Sequence, residues 1–267
     1  MREYLETLDE AACGAASEVQ PKFTSHSDPV SQWTAARKGP AFFSYSDNYL
    51  IDTDHGVIVD VEATRSIRQA EVGSTRTMLD RVKAKFDLHP ERLIADTAYG
   101  TGPVLGWLVD RKIAPHIPVF DKSGRSDGTW TRAVFEWDAE NDQSDPNRGP
   151  TGKGVVKYRG LKLTCQACPS KSRCCPNMDF RSITREEHED ARQVARDIAK
   201  TRQYDISMKL WKKVEMLFAR LKRILGLGRL RLRGPCGAND EFLLAATAQN
   251  LRKLAKSFPA PQQTRKT

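Results

Sequence analysis

Two carboxylates and a group of cysteines carry the chemistry that this sequence offers. Asp96 ends an apolar run, Leu93-Ile-Ala, and opens a turn that contains Gly100. A strand of the fully buried type would leave Asp96 at its carboxyl end, where ligands of open α/β sheets collect. The alternative reading is an aspartate that caps a helix or stabilises a turn. Glu215 is the single acid within LWKKVEMLFARLKRIL, Leu210 to Leu225. There Leu210, Val214, Leu217, Leu221 and Ile224 recur at three- and four-residue steps, widened by Phe218 and Leu225, so the spacing predicts a core helix with one buried face. Glu215 falls at the border of that face and could reach a cleft. Its alternative is a solvated edge glutamate paired with Lys212. The third feature is Cys165-x-x-Cys168-x5-Cys174-Cys175. Four thiolates suffice for a tetrahedral zinc site, although an adjacent pair rarely serves one ion, and packed free thiols are the competing reading.

The charge is as uneven as the chemistry. Over 267 residues there are 43 Lys and Arg against 34 Asp and Glu, a net charge of +9. Between Lys200 and Arg233 eleven basic residues face only Asp205 and Glu215, so this segment holds the whole excess. Lys209, Lys212, Lys213, Arg220 and Arg223 gather opposite the apolar stripe, Lys222 lies nearby, and Arg229-Leu-Arg-Leu-Arg233 alternates basic with apolar. That alternation suits an extended segment with one face on protein and one toward phosphates. A basic surface of this kind binds polyanions by releasing condensed counterions; a solvated face is the plainer reading. No apolar run is long enough for a membrane span or a secretory leader, so a cytoplasmic chain with reduced thiols is expected.

The elements that must position these residues read in order. Residues 1–40 open with a short helical pattern (Tyr4, Leu5, Leu8, Ala11, Ala12) and continue as a partial linker. FFSYSDNYLID, a turn at Thr53-Asp54-His55-Gly56, and VIVDVEA predict an antiparallel hairpin over Phe42 to Ala63. Ala70 to Phe86 is an amphipathic helix, Pro103 to Lys112 another, and His116-Ile-Pro-Val119 a further strand. Regular pattern dissolves from 121 onward. Thr184-Arg-Glu-Glu187 reads as a capping box opening a charged helix that runs to about Lys200. Gly226 and Gly228 end the core helix, Gly234-Pro235 stops the basic segment, and Asn239 or Asp240 caps a last helix with Leu244, Ala248, Leu251, Ala255 and Phe258 on its apolar face. The order suits an α/β fold with an RNase H-like core, a mixed sheet with flanking helices, interrupted by a Cys-containing insertion. Its parts would be a catalytic first part over 41–120, the insertion over 121–183, a helical part with the basic segment over 184–258, and a disordered tail over 259–267. In such a core, carboxylates remote in sequence converge to hold divalent metal, for which Asp and Glu supply hard oxygen ligands.

These residues resemble a known family. Leu93-Ile-Ala-Asp-Thr-Ala-Tyr-Gly100 is similar to the second-aspartate block of DDE-type transposases of bacterial insertion sequences, and Lys213-Val-Glu-Met-Leu-Phe-Ala-Arg-Leu-Lys222 to their glutamate helix. The cysteine block, LRLRGP and FLLAATAQNLRKLAK extend the resemblance over roughly 40 to 258. It implies that Asp96 and Glu215 are catalytic and hold Mg²⁺ in a two-metal site, and that the chain acts in DNA transposition by cleaving and joining strands. It further implies a homo-oligomer on transposon ends and target DNA, in a bacterial, nucleoid-associated setting. In the family the first catalytic aspartate precedes the segment resembling Ser27-Asp28-Pro29, so the resemblance implies a truncated copy that starts downstream of it. Asp28, Asp47, Asp52, Asp54 and Asp60 are substitutes by type only. The rival readings are an inactive DNA-binding remnant or regulator, and a metal-dependent nuclease.

Overall fold

A reversal of the chain at Thr53–Gly56 sets the first sheet. Asp52 accepts the Asp54 amide through Oδ1 at 3.0 Å and meets the His55 ring through Oδ2 at 2.6 Å, while Gly56 takes φ 64° and donates its N–H to the Asp52 carbonyl at 2.7 Å. That left-handed position is open to glycine at no steric cost. The turn joins β2 (Ala41–Asp52) to β3 (Val57–Arg65) in the antiparallel hairpin that the sequence predicts, with a bulge between Leu50 and Ile51. A short strand β1 (Gln32–Ala35) pairs with the opening residues of β2, giving the order β1-β2-β3. This computed structural model describes residues 23–35, 39–119, 127–135 and 155–258. The expected helical pattern near Tyr4 and the tail over 259–267 lie outside them.

The chain divides into two compact units, one formed by residues up to Pro90 with those from Ile206 on, the other by Glu91–Asp205. The first contains the hairpin sheet, helix α1 (Arg68–Phe86), most of helix α6 (Arg202–Ile224) and helix α7 (Gly234–Ser257). Its core joins Val30, Tyr45, Ile58 and Val61 from the sheet side to Leu221 and to Ala238, Phe242, Ala245 and Ala246. Ala70, Met78, Leu79 and Val82 form the buried stripe of α1, which ends on Asp87 in the left-handed conformation. Arg81 of α1 reaches Asp60 at 2.7 Å and Glu62 at 2.8 Å on β3.

Helix α7 differs from its prediction in both start and face. Pro235 stands in its first turn, where the missing N–H costs nothing, so Gly234-Pro235 begins the helix and does not stop the chain. The buried residues are Ala238, Phe242, Ala245, Ala246 and Gln249, whereas Leu244, Leu251 and Phe258 are exposed. The reason is polar. Asn250 accepts the Ile58 amide at 2.9 Å and donates to the Ile58 carbonyl at 2.8 Å, and Asn239 accepts the Ala63 amide at 3.1 Å. Two asparagines eleven residues apart, three helical turns, thus take the place of a strand on β3, and the small residues between them allow the close approach.

In the second unit, β4 (Arg92–Ile94) runs parallel to β5 (Ala114–His116), the two joined through helix α2 (Gly102–Asp110). Leu105, Leu108, Ile113 and Ile117 are buried there, and Gly106 lies so close to the His188 ring that a Cβ would meet Nδ1 at 2.5 Å. Where the sequence shows no regular pattern, an antiparallel pair forms, β6 (Val155–Arg159) with β7 (Ser182–Glu186). Thr184 to Glu186 therefore belong to a strand and do not cap a helix; the charged helix α5 starts at Glu189 and runs to Ile198. Glu189 is buried among Arg132, Arg192 and Arg196, a network that satisfies its charge. The architecture is mixed α/β. Among the described residues no helix is long and apolar enough to cross a membrane.

Candidate active site

Asp96 stands one residue beyond β4, after buried Leu93 and Ala95, and is itself exposed. Its Oδ1 accepts the Ala98 amide at 2.7 Å and so caps the single 3-10 turn Thr97–Tyr99. The capping geometry and the strand-end position coexist, since Oδ2 takes no protein partner among the described residues. Glu215 is exposed on α6 and accepts the indole N–H of Trp211, one turn earlier, at 3.2 Å. The indole, not Lys212, is its partner. Asp96 belongs to the second unit and Glu215 to the first.

Helix α6 is less of a core helix than its periodicity predicts. Leu221 is fully buried, but Leu210, Val214, Leu217 and Phe218 are half-buried, and Ile224 and Leu225 are exposed. Periodicity fixes which residues share a face, not how much of that face finds cover. Phe218 meets Tyr49 of β2 at 5.5 Å between ring centroids. Lys209, Lys212, Lys213, Lys222 and Arg223 are exposed and Arg220 is half-buried, and none of the six forms an ion pair among the described residues. Arg229, Arg231 and Arg233 are likewise exposed and form no ion pair among the described residues. They lie on a loop, not an extended strand: Arg231 and Leu232 donate their backbone N–H groups to the Glu241 carboxylate at 2.6 and 2.5 Å. Among the described residues these nine cations form no ion pair, although Lys222 also acts on the Asp47 charge, and their charge is available to a ligand.

The other aspartates have local duties. Asp28 accepts the Tyr45 hydroxyl and the Gly234 amide, both at 2.8 Å, and ties β2 to the start of α7. Asp52 belongs to the hairpin turn, and Asp60 to Arg81. Asp47, a substitute by type only in the sequence, is set apart by its burial. Burial raises its pKa, against the pull of the Lys222 ammonium. Alternation along β2 puts Asp47 on the side of Tyr45 and Tyr49; Tyr49, pushed up by its own burial first and then by the Asp47 charge, shares that environment. The strand pattern held this signal.

Short helices α3 (Lys162–Ala167) and α4 (Lys171–Cys174) carry Cys165 and Cys174 between β6 and β7, with Cys168 exposed and Cys175 buried. All four are free thiols. Burial, then the neighbouring Cys175 sulfur, pushes the Cys174 thiol up, which favours its protonated form. Among the described residues no group of three or more His, Cys, Asp or Glu is arranged to hold a metal ion. Asp96 and Glu215, each with one oxygen uncommitted, have the donor chemistry for Mg²⁺, but neither is part of such a group.

Residues 142–255 match the family model described as a transposase DDE domain. The matched span takes in the cysteine block, the Glu215 helix, the arginine loop and most of α7, while Asp96 lies before it. No curated protein and no solved structure matches the chain. An exposed glutamate on a helix of cations that form no ion pair among the described residues thus falls inside the span, 142–255, that is similar to a transposase DDE domain.

Proposed function

We propose that this protein acts on DNA as a DDE transposase, cleaving strands and joining them in a metal-dependent reaction, with Asp96 and Glu215 as its catalytic carboxylates. The observation that carries the reading is Glu215 itself: exposed, held by one indole N–H, and flanked along α6 by cations that form no ion pair among the described residues. Antiparallel β1-β2-β3 and parallel β4-β5 are the kinds of pieces from which an RNase H-like mixed sheet is built. Asp96 and Glu215 would hold Mg²⁺, which when bound supplies charge stabilisation for the attacking and leaving oxygens at phosphorus. The chain's own part is to present those oxygens, to fix Glu215 through Trp211 and Asp96 through the Ala98 amide, and to hold the DNA backbone with α6 and the arginine loop. Transposon ends and target would both be bound, by a homo-oligomer on the DNA.

A labelled duplex incubated with the protein and Mg²⁺ separates the readings. Joined products support transposition, cleavage without joining supports a nuclease, and tight binding without either supports a DNA-binding regulator. That last reading is favoured by one observation, the lack of a three-carboxylate group among the described residues. If strand chemistry occurs, Asp96→Ala and Glu215→Ala should each lower it beyond the roughly 10–100-fold that follows loss of a metal site's outer partner. Undiminished rates in both variants would refute the assignment.

A further inference from the structure

Helix α7 is apolar on two sides, and only one of them is covered. Phe242, Ala245 and Gln249 are buried. Leu244, Thr247 and Leu251 each stand two residues further on, about 200° around the helix from one of these, and the stripe continues through Leu254 to Phe258 at the cap. On that side Leu244 is 70% exposed, Leu251 59%, Leu254 53% and Phe258 66%. Nothing polar interrupts the stripe, because the Thr247 hydroxyl donates to the Leu243 carbonyl at 2.8 Å and leaves only its methyl group to offer. A helix with apolar residues on every side is one that other elements cover on every side.

The spacing describes the partner. Leu244, Thr247, Leu251, Leu254 and Phe258 follow one another at steps of three, four, three and four, the repeat of a seam between two helices. Ala248 and Ala255, exposed beside the stripe, let a second backbone come close. From Leu244 to Leu254 the steps are three, four and three, which read the same from either end. Such a seam meets an inverted copy of itself in register, Leu244 of one copy against Leu254 of the other and Thr247 against Leu251, as a two-fold interface requires. The charges fit the same orientation. Asp240 and Glu241 stand near the start of α7, and Arg252, Lys253 and Lys256 near its end. An antiparallel copy sets the acidic end of one helix toward the basic end of the other, whereas a parallel copy would set like toward like. The area suffices as well. With Leu243, which is exposed beside them, these side chains offer on the order of 600 Å² on each copy, at the upper end for one patch on a monomer and near the about 800 Å² that each partner buries in a standard interface.

We propose that α7 pairs with α7 of a second copy of this chain, antiparallel about a two-fold axis between Thr247 and Leu251, and so holds a homodimer together without DNA. The inference rests on the homo-oligomer in the reading above and names the surface that forms it.

Sedimentation equilibrium of the full chain without DNA, over a range of concentrations, should show a reversible equilibrium between monomer and dimer. Leu251→Asp takes a leucine from both sides of the axis, and should raise the dimer dissociation constant by roughly 100-fold or more. Leu251 is already mostly exposed in the single chain, so the fold does not depend on it. Leu163→Asp, at an exposed leucine of α3 outside the seam, should leave the constant unchanged. A parent chain that stays monomeric throughout overturns the proposal with no variant involved. A dimer that Leu251→Asp leaves intact, or that Leu163→Asp dissolves equally, also overturns it. Repeating the measurement with a labelled duplex separates this inference from the reading it rests on. A chain that pairs only on DNA keeps the homo-oligomer and overturns the α7 interface, and a chain that stays monomeric on DNA overturns both.

Discussion

Replacing Arg229, Arg231 and Arg233 with Ala removes three charges from one loop without touching what shapes it. The loop backbone is held by the Glu241 carboxylate on the Arg231 and Leu232 N–H groups, and the Arg233 side chain makes no capping bond to α7. The fold should therefore survive. If each arginine neutralises one phosphate, the slope of log affinity against log salt becomes shallower by about 0.9 per charge, or about 2.7 for the three. Between 50 and 200 mM salt the affinity ratio of parent to variant should then shrink roughly 40-fold. Anisotropy titrations of a random-sequence duplex at four salt concentrations measure this directly, with a triple Arg→Lys variant as the charge-preserving control. A slope unchanged in the alanine variant, or a loss of affinity equal at every salt concentration, would refute the phosphate-contact assignment of the loop.

Other consequences follow for stability. Asn250→Ala strips β3 of both partners at Ile58, and thermal unfolding should show a loss of about 1–3 kcal/mol. Leu221→Ala opens the core where the side chain is fully buried, and denaturant titration should report about 2–5 kcal/mol lost. Asp47 gives a pH signature: burial raises its folded pKa above the unfolded value, so its favourable contribution is present at low pH and is lost as pH rises through the folded pKa. Asp47→Asn should accordingly raise the melting temperature at neutral pH, with the gain vanishing as pH falls toward the ordinary aspartate range; an equal gain at every pH would contradict it.

How much of this was legible in the chain depended on whether one local rule governed the segment. The hairpin was, because Asp-His-Gly imposes its own turn and the flanking runs alternate. The position of Asp96 at a strand end was too, since three apolar residues before a turn leave few options. The last helix was misjudged because Leu244, Leu251 and Phe258 outweigh alanines on any hydropathy pattern, whereas Asn239 and Asn250 decide which face meets β3. That is a tertiary hydrogen-bond requirement with no periodic trace. Thr184 to Glu187 satisfy a capping pattern, yet Thr184 to Glu186 belong to a strand, because β6 offers a partner from nearly thirty residues upstream, out of reach of a local rule. For the site, both carboxylates, every basic residue and Asp47 could be named from type and spacing, but the degree of burial that sets Asp47 apart could not.

We propose that Asp96 and Glu215 both serve the metal-dependent chemistry. Calorimetric titration of Mn²⁺ into the DNA-bound protein, compared across the parent, Asp96→Asn, Glu215→Gln and the double variant, tests it most directly. Each single change should weaken binding, and the double should weaken it no further than the stronger of the two, since ligands to one site act as a unit. Losses that simply add, or a single variant that binds Mn²⁺ like the parent, would contradict it.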